Sequence, residues 1–383
     1  MLNILSNRTY RHLFMAQVIA LIGTGLATVA LGLLAYDLAG DRAGAVLGTA
    51  LAIKMSAYIL VAPVAAAFAD KFPRRTMLVT LDLVRALVAI TLPFVTQIWE
   101  IYILIFILQA ASAAFTPTFQ ATIPDILPDE REYTRALSLS RLAYDLESVI
   151  SPMLAAALLT VMSFHNLFAG TAVGFLASAA LVVSVTLPKM KALTVKRSIY
   201  DKTTRGMRIF LKTPRLRGLL ALNMAVAAAS AMVIVNTVVL VQADFGFSQR
   251  STAIALAFFG VGSMVSALVL PRLLDNMSDR MPMLAGTALL VIGLGSGIFL
   301  KDYITLVVLW ALLGVGYSLS QTPGGRLLRR SSTAEDRPAL FAAQFALSHS
   351  CWLVTYPLAG WVGAAWGTQA SFIRSEERRV GKE

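Results

Sequence analysis

The chain has 383 residues, of which 57% are hydrophobic and only 14% charged, at a mean hydropathy of +0.72. Soluble domains carry about 25% charged residues, so water is not the main solvent of this protein. A single cysteine, Cys351, excludes an intrachain disulfide framework and any cysteine-rich metal centre, and three scattered histidines make no zinc spacing.

In chain order, apolar runs separated by short charged loops occur near 13–36, 44–69, 76–96, 100–122, 138–162, 165–187, 216–242, 251–273, 282–300, 303–322 and 338–364. Each approaches the length that crosses a bilayer of about 30 Å as a helix. Lipid offers no partner to backbone groups, and the runs lack the alternation of barrel strands, so the expected fold is an all-α membrane protein with eleven spans. The first run spans by itself and reads as a transmembrane helix rather than a cleavable signal.

The net charge of +12 is explained by where the cations sit. With the N-terminus cytoplasmic, one set of loops holds 23 Lys and Arg, from Arg8 and Arg11 to Arg337, and the opposite set only Arg42, Arg250 and Lys301. This positive-inside asymmetry fixes the orientation of a multi-pass membrane protein and removes the need for a nucleic-acid partner. The long polar stretch 188–215 reads as a basic cytoplasmic linker on the anionic leaflet, between an N-terminal six-helix lobe (1–187) and a C-terminal lobe (216–372) of five helices.

The two lobes repeat. Asp70 with Asp275, Arg75 with Arg280, Thr116 with Thr322 and Pro152 with Pro357 are separated by 205 or 206 residues. Duplicated halves joined by a basic linker point to a secondary transporter with its site at the interface between them, near mid-bilayer. By the same offset, residues 374–383 fall opposite a membrane helix, yet RSEERRVGKE holds seven charges in ten residues. Each would cost about 2.5–3.5 kcal/mol at a helix centre. The expectation is that the twelfth helix is missing and that 373–383 is a non-native tail from truncation, frameshift or assembly artefact; a genuine eleven-helix chain is the alternative.

The loop Ala66–Arg75, AAFADKFPRR, resembles the signature G-x-x-x-D-R/K-x-G-R-R/K of the major facilitator superfamily, with Asp70, Lys71, Arg74 and Arg75 matching and Ala66 and Pro73 in place of two glycines. Asp275 to Arg280 resembles its degenerate second copy. The resemblance implies the fold of that family, two pseudo-symmetric six-helix bundles. Within it, NRTYRHLFMAQVIALIGTGL and ATIPDILPDEREYTRALSL are similar to bacterial exporters of the enterobactin and macrolide efflux type. By resemblance, Asp70 with Arg74 and Arg75 forms a gating latch, joined by Lys71, Asp275 and Arg280; a bare topological role for the cations is the alternative.

Ionisable residues inside spans are costly and are default functional candidates: Lys54, Asp82, Arg85, Arg141, Asp145, Glu147 and His349. Asp82 and Arg85, three apart, pair locally and read as structural. Arg141 and Asp145, four apart, share a face, whereas Glu147 points about 200° from Asp145. A carboxyl so placed must find a distant cation such as Lys54, meet water or take up a proton, which makes Glu147 the leading proton-coupling candidate. Lys54 is a candidate cation for an anionic group, and His349 falls near the pseudo-equivalents of Asp145 and Glu147.

Gln17, Gln109, Asn223, Asn236 and Gln344, with Tyr144 and Trp352, are candidate cavity residues, against helix-to-helix hydrogen bonding as the alternative. No nucleotide loop, nucleophile elbow or zinc pattern is present, so the reading is not an enzyme and needs no cofactor or metal. The expected partners are a small-molecule substrate, protons and the bilayer, and the chain is expected to be a monomer. Export of a small amphipathic compound such as a drug, siderophore or metabolite is the preferred function. Uptake by symport and a non-transporting sensor or scaffold stay open, as do sodium in place of protons and the identity of the substrate.

Overall fold

The computed structural model of the chain describes residues 2–39, 43–68, 71–188, 198–238, 240–241, 245–297, 300 and 302–366. Among them no strand occurs, as backbone groups in lipid require. The α-helices are α1 (Arg8–Ala39), α2 (Ala43–Phe68), α3 (Arg74–Thr91), α4 (Ile98–Ile126), α5 (Glu130–Leu159), α6 (His165–Val183) and α7 (Ile199–Lys212), followed by α8 (Pro214–Val238), α9 (Gln249–Leu274), α10 (Arg280–Ser296), α11 (Tyr303–Gln321), α12 (Gly324–Arg330) and α13 (Arg337–Trp366). Each expected span overlaps one of these helices over its described residues. Among the described residues, eight have the length and apolarity to cross a membrane by themselves: α1 to α4, α6, α8, α9 and α11. Of the others carrying expected spans, α10 is a shorter apolar helix, and α5 bears Arg141, Asp145 and Glu147 in its middle.

Helix starts follow from local chemistry. The Asp129 side chain accepts from the Glu132 amide at 3.0 Å to begin α5, and Asp302 accepts from the Thr305 amide at 2.8 Å to begin α11. At α4, Gln97 and Glu100 form a capping box. The basic stretch 188–215 is more than a bare linker: Ser198 caps α7 by accepting from the Asp201 amide at 3.2 Å, and Phe210 on its inner face is fully buried.

The chain divides into two compact units, Met1–Arg217 with Gly325–Ser350, and Gly218–Gly324 with Cys351–Glu383. In the first, α1 packs on α6, α5 and α2, α3 packs on α6 and α4, and α2 packs on α4 and α7. Its apolar clusters run from Leu34, Leu92 and Phe168 at one end to Tyr10, Leu78 and Tyr133 at the other. In the second, α11 packs on α9 and α10. The α10–α11 approach is close enough that a β-carbon on Gly286 would stand 2.6 Å from the Gly316 carbonyl oxygen, so only glycine fits there. Fully buried Trp310 donates to Thr237 Oγ1 at 2.8 Å in the core of this unit.

Candidate functional site

Within the first unit, α2 presents Lys54 and, one turn later, Tyr58, and Lys54 Nζ lies over the Tyr58 ring at 5.7 Å. Helix α13 supplies Phe345 and His349 to the same place. The Tyr58 ring centroid is 4.9 Å from that of Phe345 and 4.7 Å from that of His349, edge-on to the latter. His349 Nδ1 lies 2.7 Å from the Phe345 carbonyl oxygen. A carbonyl only accepts, so Nδ1 carries a proton and donates it there.

Helix α5 adds Glu147. Its carboxylate reaches α1 at Gly25, where a β-carbon would stand 2.6 Å from Oε1; the absence of a side chain at Gly25 is what makes the room. Glu147 and Lys54 act on each other electrostatically. Beside them Tyr144 hydrogen-bonds Gln17, and Gln17 Oε1 also accepts from Ser140 at 3.0 Å.

The other intramembrane charges have closer partners. Arg141 forks onto Asp145, with Nε at 3.0 Å, as their spacing predicts. Asp82 takes the Arg85 guanidinium and, at 2.7 Å, the Ser178 hydroxyl, while Arg85 lies between the Phe115 and Phe175 rings. The pair is buried among apolar residues, which suits a structural role. Among the described residues, Glu147 and Lys54 are thus the intramembrane charges that close no ion pair, although each feels the other. A carboxylate in that position is satisfied by a cation, by water or by a proton.

A second cluster sits at the helix ends that carry the basic loops. Asp125, at the end of α4, accepts from Arg74 of α3 at 2.6 Å and also takes Arg337, the first residue of α13. Glu130, opening α5, takes Arg326 at 2.6 Å and Arg330, both from α12. Arg329 donates to the Pro128 carbonyl and lies over the Tyr133 ring. From α7, Arg205 forks onto Asp336 with contacts of 2.5 and 2.8 Å. Burial pushes the Glu130 carboxyl up, but hydrogen bonds and charge from Arg326 and Arg330 outweigh it and hold the group below its ordinary range. The Asp336 hydrogen bonds raise the Arg205 pKa further.

Of the latch expected from sequence, Arg74 is buried in this cluster, Arg75 is exposed, and Lys71 lies over the Phe68 ring at 4.8 Å. Asp70 lies outside the described residues. Asp275 caps the end of α9 and Arg280 begins α10. Asp125, Glu130, Asp336 and Arg205 were not singled out by the sequence. Their only signal was position, acids and bases at span ends, which topology alone explains equally well.

Of the remaining cavity candidates, Gln109 is half-buried on α4. Asn223 and Asn236 lie buried on α8 in the second unit, where Asn236 donates to the Ala359 carbonyl at 3.4 Å, the helix-to-helix bond weighed as the alternative. The Trp352 ring centroid lies 5.2 Å from that of Tyr356, the two planes tilted by 37°. Gln344, next to Phe345, has a buried Oε1 without a hydrogen-bond partner among the described residues. Among those residues no group of three or more His, Cys, Asp or Glu could hold a metal ion. The expected non-native tail lies outside the described residues.

Comparison with known proteins bears on these arrangements. A family model described as the Major Facilitator Superfamily matches residues 13–239 and 219–374. The MFS-type transporter YfiS of Bacillus subtilis (strain 168) is 24% identical over 296 residues, which are 74% of this chain and 70% of that protein. Macrolide efflux protein A of Enterococcus faecalis is 25% identical over 154 residues, 38% of this chain and 47% of the relative, so this second match spans under half of that protein. Among solved structures, the human organic anion transporter MFSD10 superposes with a TM-score of 0.81 at 14% identity, over 95% of each chain, a likeness of fold alone.

Proposed function

The chain belongs to the major facilitator superfamily of membrane transporters, and from that premise we propose that it exports a small amphipathic compound from a bacterial cell in exchange for protons. The observation that carries the reading is Glu147, an intramembrane carboxylate without a closed ion pair, held in the space Gly25 leaves and within electrostatic reach of Lys54. A group so placed binds a proton, Lys54 or substrate in turn, and that competition is what couples two fluxes. The apolar and aromatic surroundings of Tyr58, Phe345 and His349 suit a substrate with much carbon surface and few hydrogen bonds. Efflux is favoured by likeness to a relative named for macrolide efflux.

In this reading the basic helix ends face the cytoplasm, where Arg74, Asp125 and Arg337, with Glu130, Arg326 and Arg330, form the latch. These pairs break and re-form as the site is exposed to one side and then the other. The protein inserts with its N-terminus cytoplasmic and works as a monomer.

The test is accumulation of dyes, macrolides and siderophore-like anions in efflux-deficient bacteria expressing the chain, with and without a protonophore. Lower accumulation of one class, restored by the protonophore and by Glu147→Gln, supports proton-driven export. Higher accumulation that collapses in the same way means uptake and overturns export. Expression must be matched throughout.

A further inference from the structure

Helix α7 is built differently from its neighbours. Its inner face is seated by Phe210 and by Gly206, which lies against Ala339 of α13, and it packs on α2. At 100° per residue, Tyr200 and Leu211 share one flank, and they are 77% and 48% exposed. Next around the helix, Arg208 and Lys212 are exposed one turn apart, and exposed Arg215 and Arg217 continue the positive charge into α8. Two residues after α7 ends, α8 begins at Pro214 as an apolar span. The outer face of α7 is therefore tethered within a turn of a membrane-crossing helix, with an exposed tyrosine and leucine bordered by cations, the composition of a helix that lies in the headgroup layer.

We propose that α7 is a membrane-surface strap: its Tyr200–Leu211 flank and the cations Lys212, Arg215 and Arg217 bind the anionic headgroups of the leaflet, and the Arg205–Asp336 fork transmits that anchoring to the start of α13. Charge complementarity selects the occupant, since a juxtamembrane polybasic segment is drawn to anionic lipid and gains little from a neutral surface. The transmission has a short path. Asp336, held by Arg205, is adjacent in the chain to Arg337, and Arg337 holds Asp125. Lipid charge thereby biases the ion pairs at the start of α13 without touching them. Arg208 is paired with Asp201 and is the weaker contributor.

The experiment is hydrogen–deuterium exchange of the full chain in nanodiscs of phosphatidylcholine alone or with about a third phosphatidylglycerol. Amides of 199–212 and of 337–345 are expected to exchange more slowly in anionic discs, with about fivefold of protection for each cation engaged. Lys212→Gln with Arg215→Gln and Arg217→Gln should erase the difference in both segments. Arg205→Gln should keep it in α7 and lose it in 337–345, which no general loss of folding would produce. Equal exchange in the two lipids, protection that survives the triple substitution, or protection reproduced in neutral discs by millimolar glycerol phosphate would overturn the proposal.

Discussion

Asp125→Asn is the sharpest perturbation of the latch, because one carboxylate serves two arginines. Arg74 and Arg337 keep only 4% and 12% of their side chains exposed, and Asp125 keeps 22%. A hydrogen bond to a charged group is worth about 1.5–3 kcal/mol. Two arms that share a partly wetted acceptor do not sum in full, so the closed arrangement should lose about 2 kcal/mol, near thirtyfold in a two-state equilibrium. Leu137 reports on that equilibrium: its Cδ2 lies 2.7 Å from where a β-carbon on Gly325 would stand, one residue before Arg326. With Cys351→Ser removing the single native thiol, Leu137→Cys should react with an impermeant maleimide about ten- to thirtyfold faster once Asp125 is neutralised. A cycle with Arg337→Gln should show the two substitutions sharing one effect. An unchanged alkylation rate in folded protein, or strictly additive effects, would refute the latch.

Gly25→Ala places a β-carbon against Glu147 and Ser151, an overpacking cost of about 1–3 kcal/mol, so it should lower the detergent melting temperature and weaken the protonophore-sensitive part of transport. Arg85→Gln leaves fully buried Asp82 unpaired, at a cost of about 3–5 kcal/mol; thermal unfolding should fall sharply while the pattern of transported compounds stays the same. Glu130 titrates below its ordinary value, so its pairs are fully present above about pH 4.3 and are lost only as pH falls through the lower folded value. The rate of Leu137→Cys alkylation, divided by that of a small free thiol at the same pH because only the thiolate reacts, should thus be flat from pH 8 to 5 and rise only in stronger acid, and a rise near neutrality would place the titrating group elsewhere.

The helices were legible because a bilayer leaves one solution for a twenty-residue apolar run, and each expected run overlaps a helix, eight of them long and apolar enough to cross a membrane among the described residues. The pairs Asp82–Arg85 and Arg141–Asp145 were legible for a similar reason, since three or four residues along a helix fix the geometry without any tertiary knowledge. The convergence of Lys54, Tyr58, Phe345 and His349 was not, because α2 and α13 are brought together by packing across nearly 300 positions of chain and no local period announces it. The same holds for Asp125 with Arg337. Helix α7 escaped notice because its charge dominates its composition, and the seating of Gly206 and Phe210 depends on a partner distant in sequence.

The account stands or falls on whether Glu147 couples the transported compound to protons. Purified protein in liposomes, given a compound identified in cells, should concentrate it inside when the lumen is acidic and stop when an ionophore collapses the gradient. Glu147→Gln should still exchange labelled for unlabelled compound but no longer concentrate it. Accumulation indifferent to the pH gradient, or a Glu147→Gln protein that concentrates as well as the native one, would contradict the mechanism.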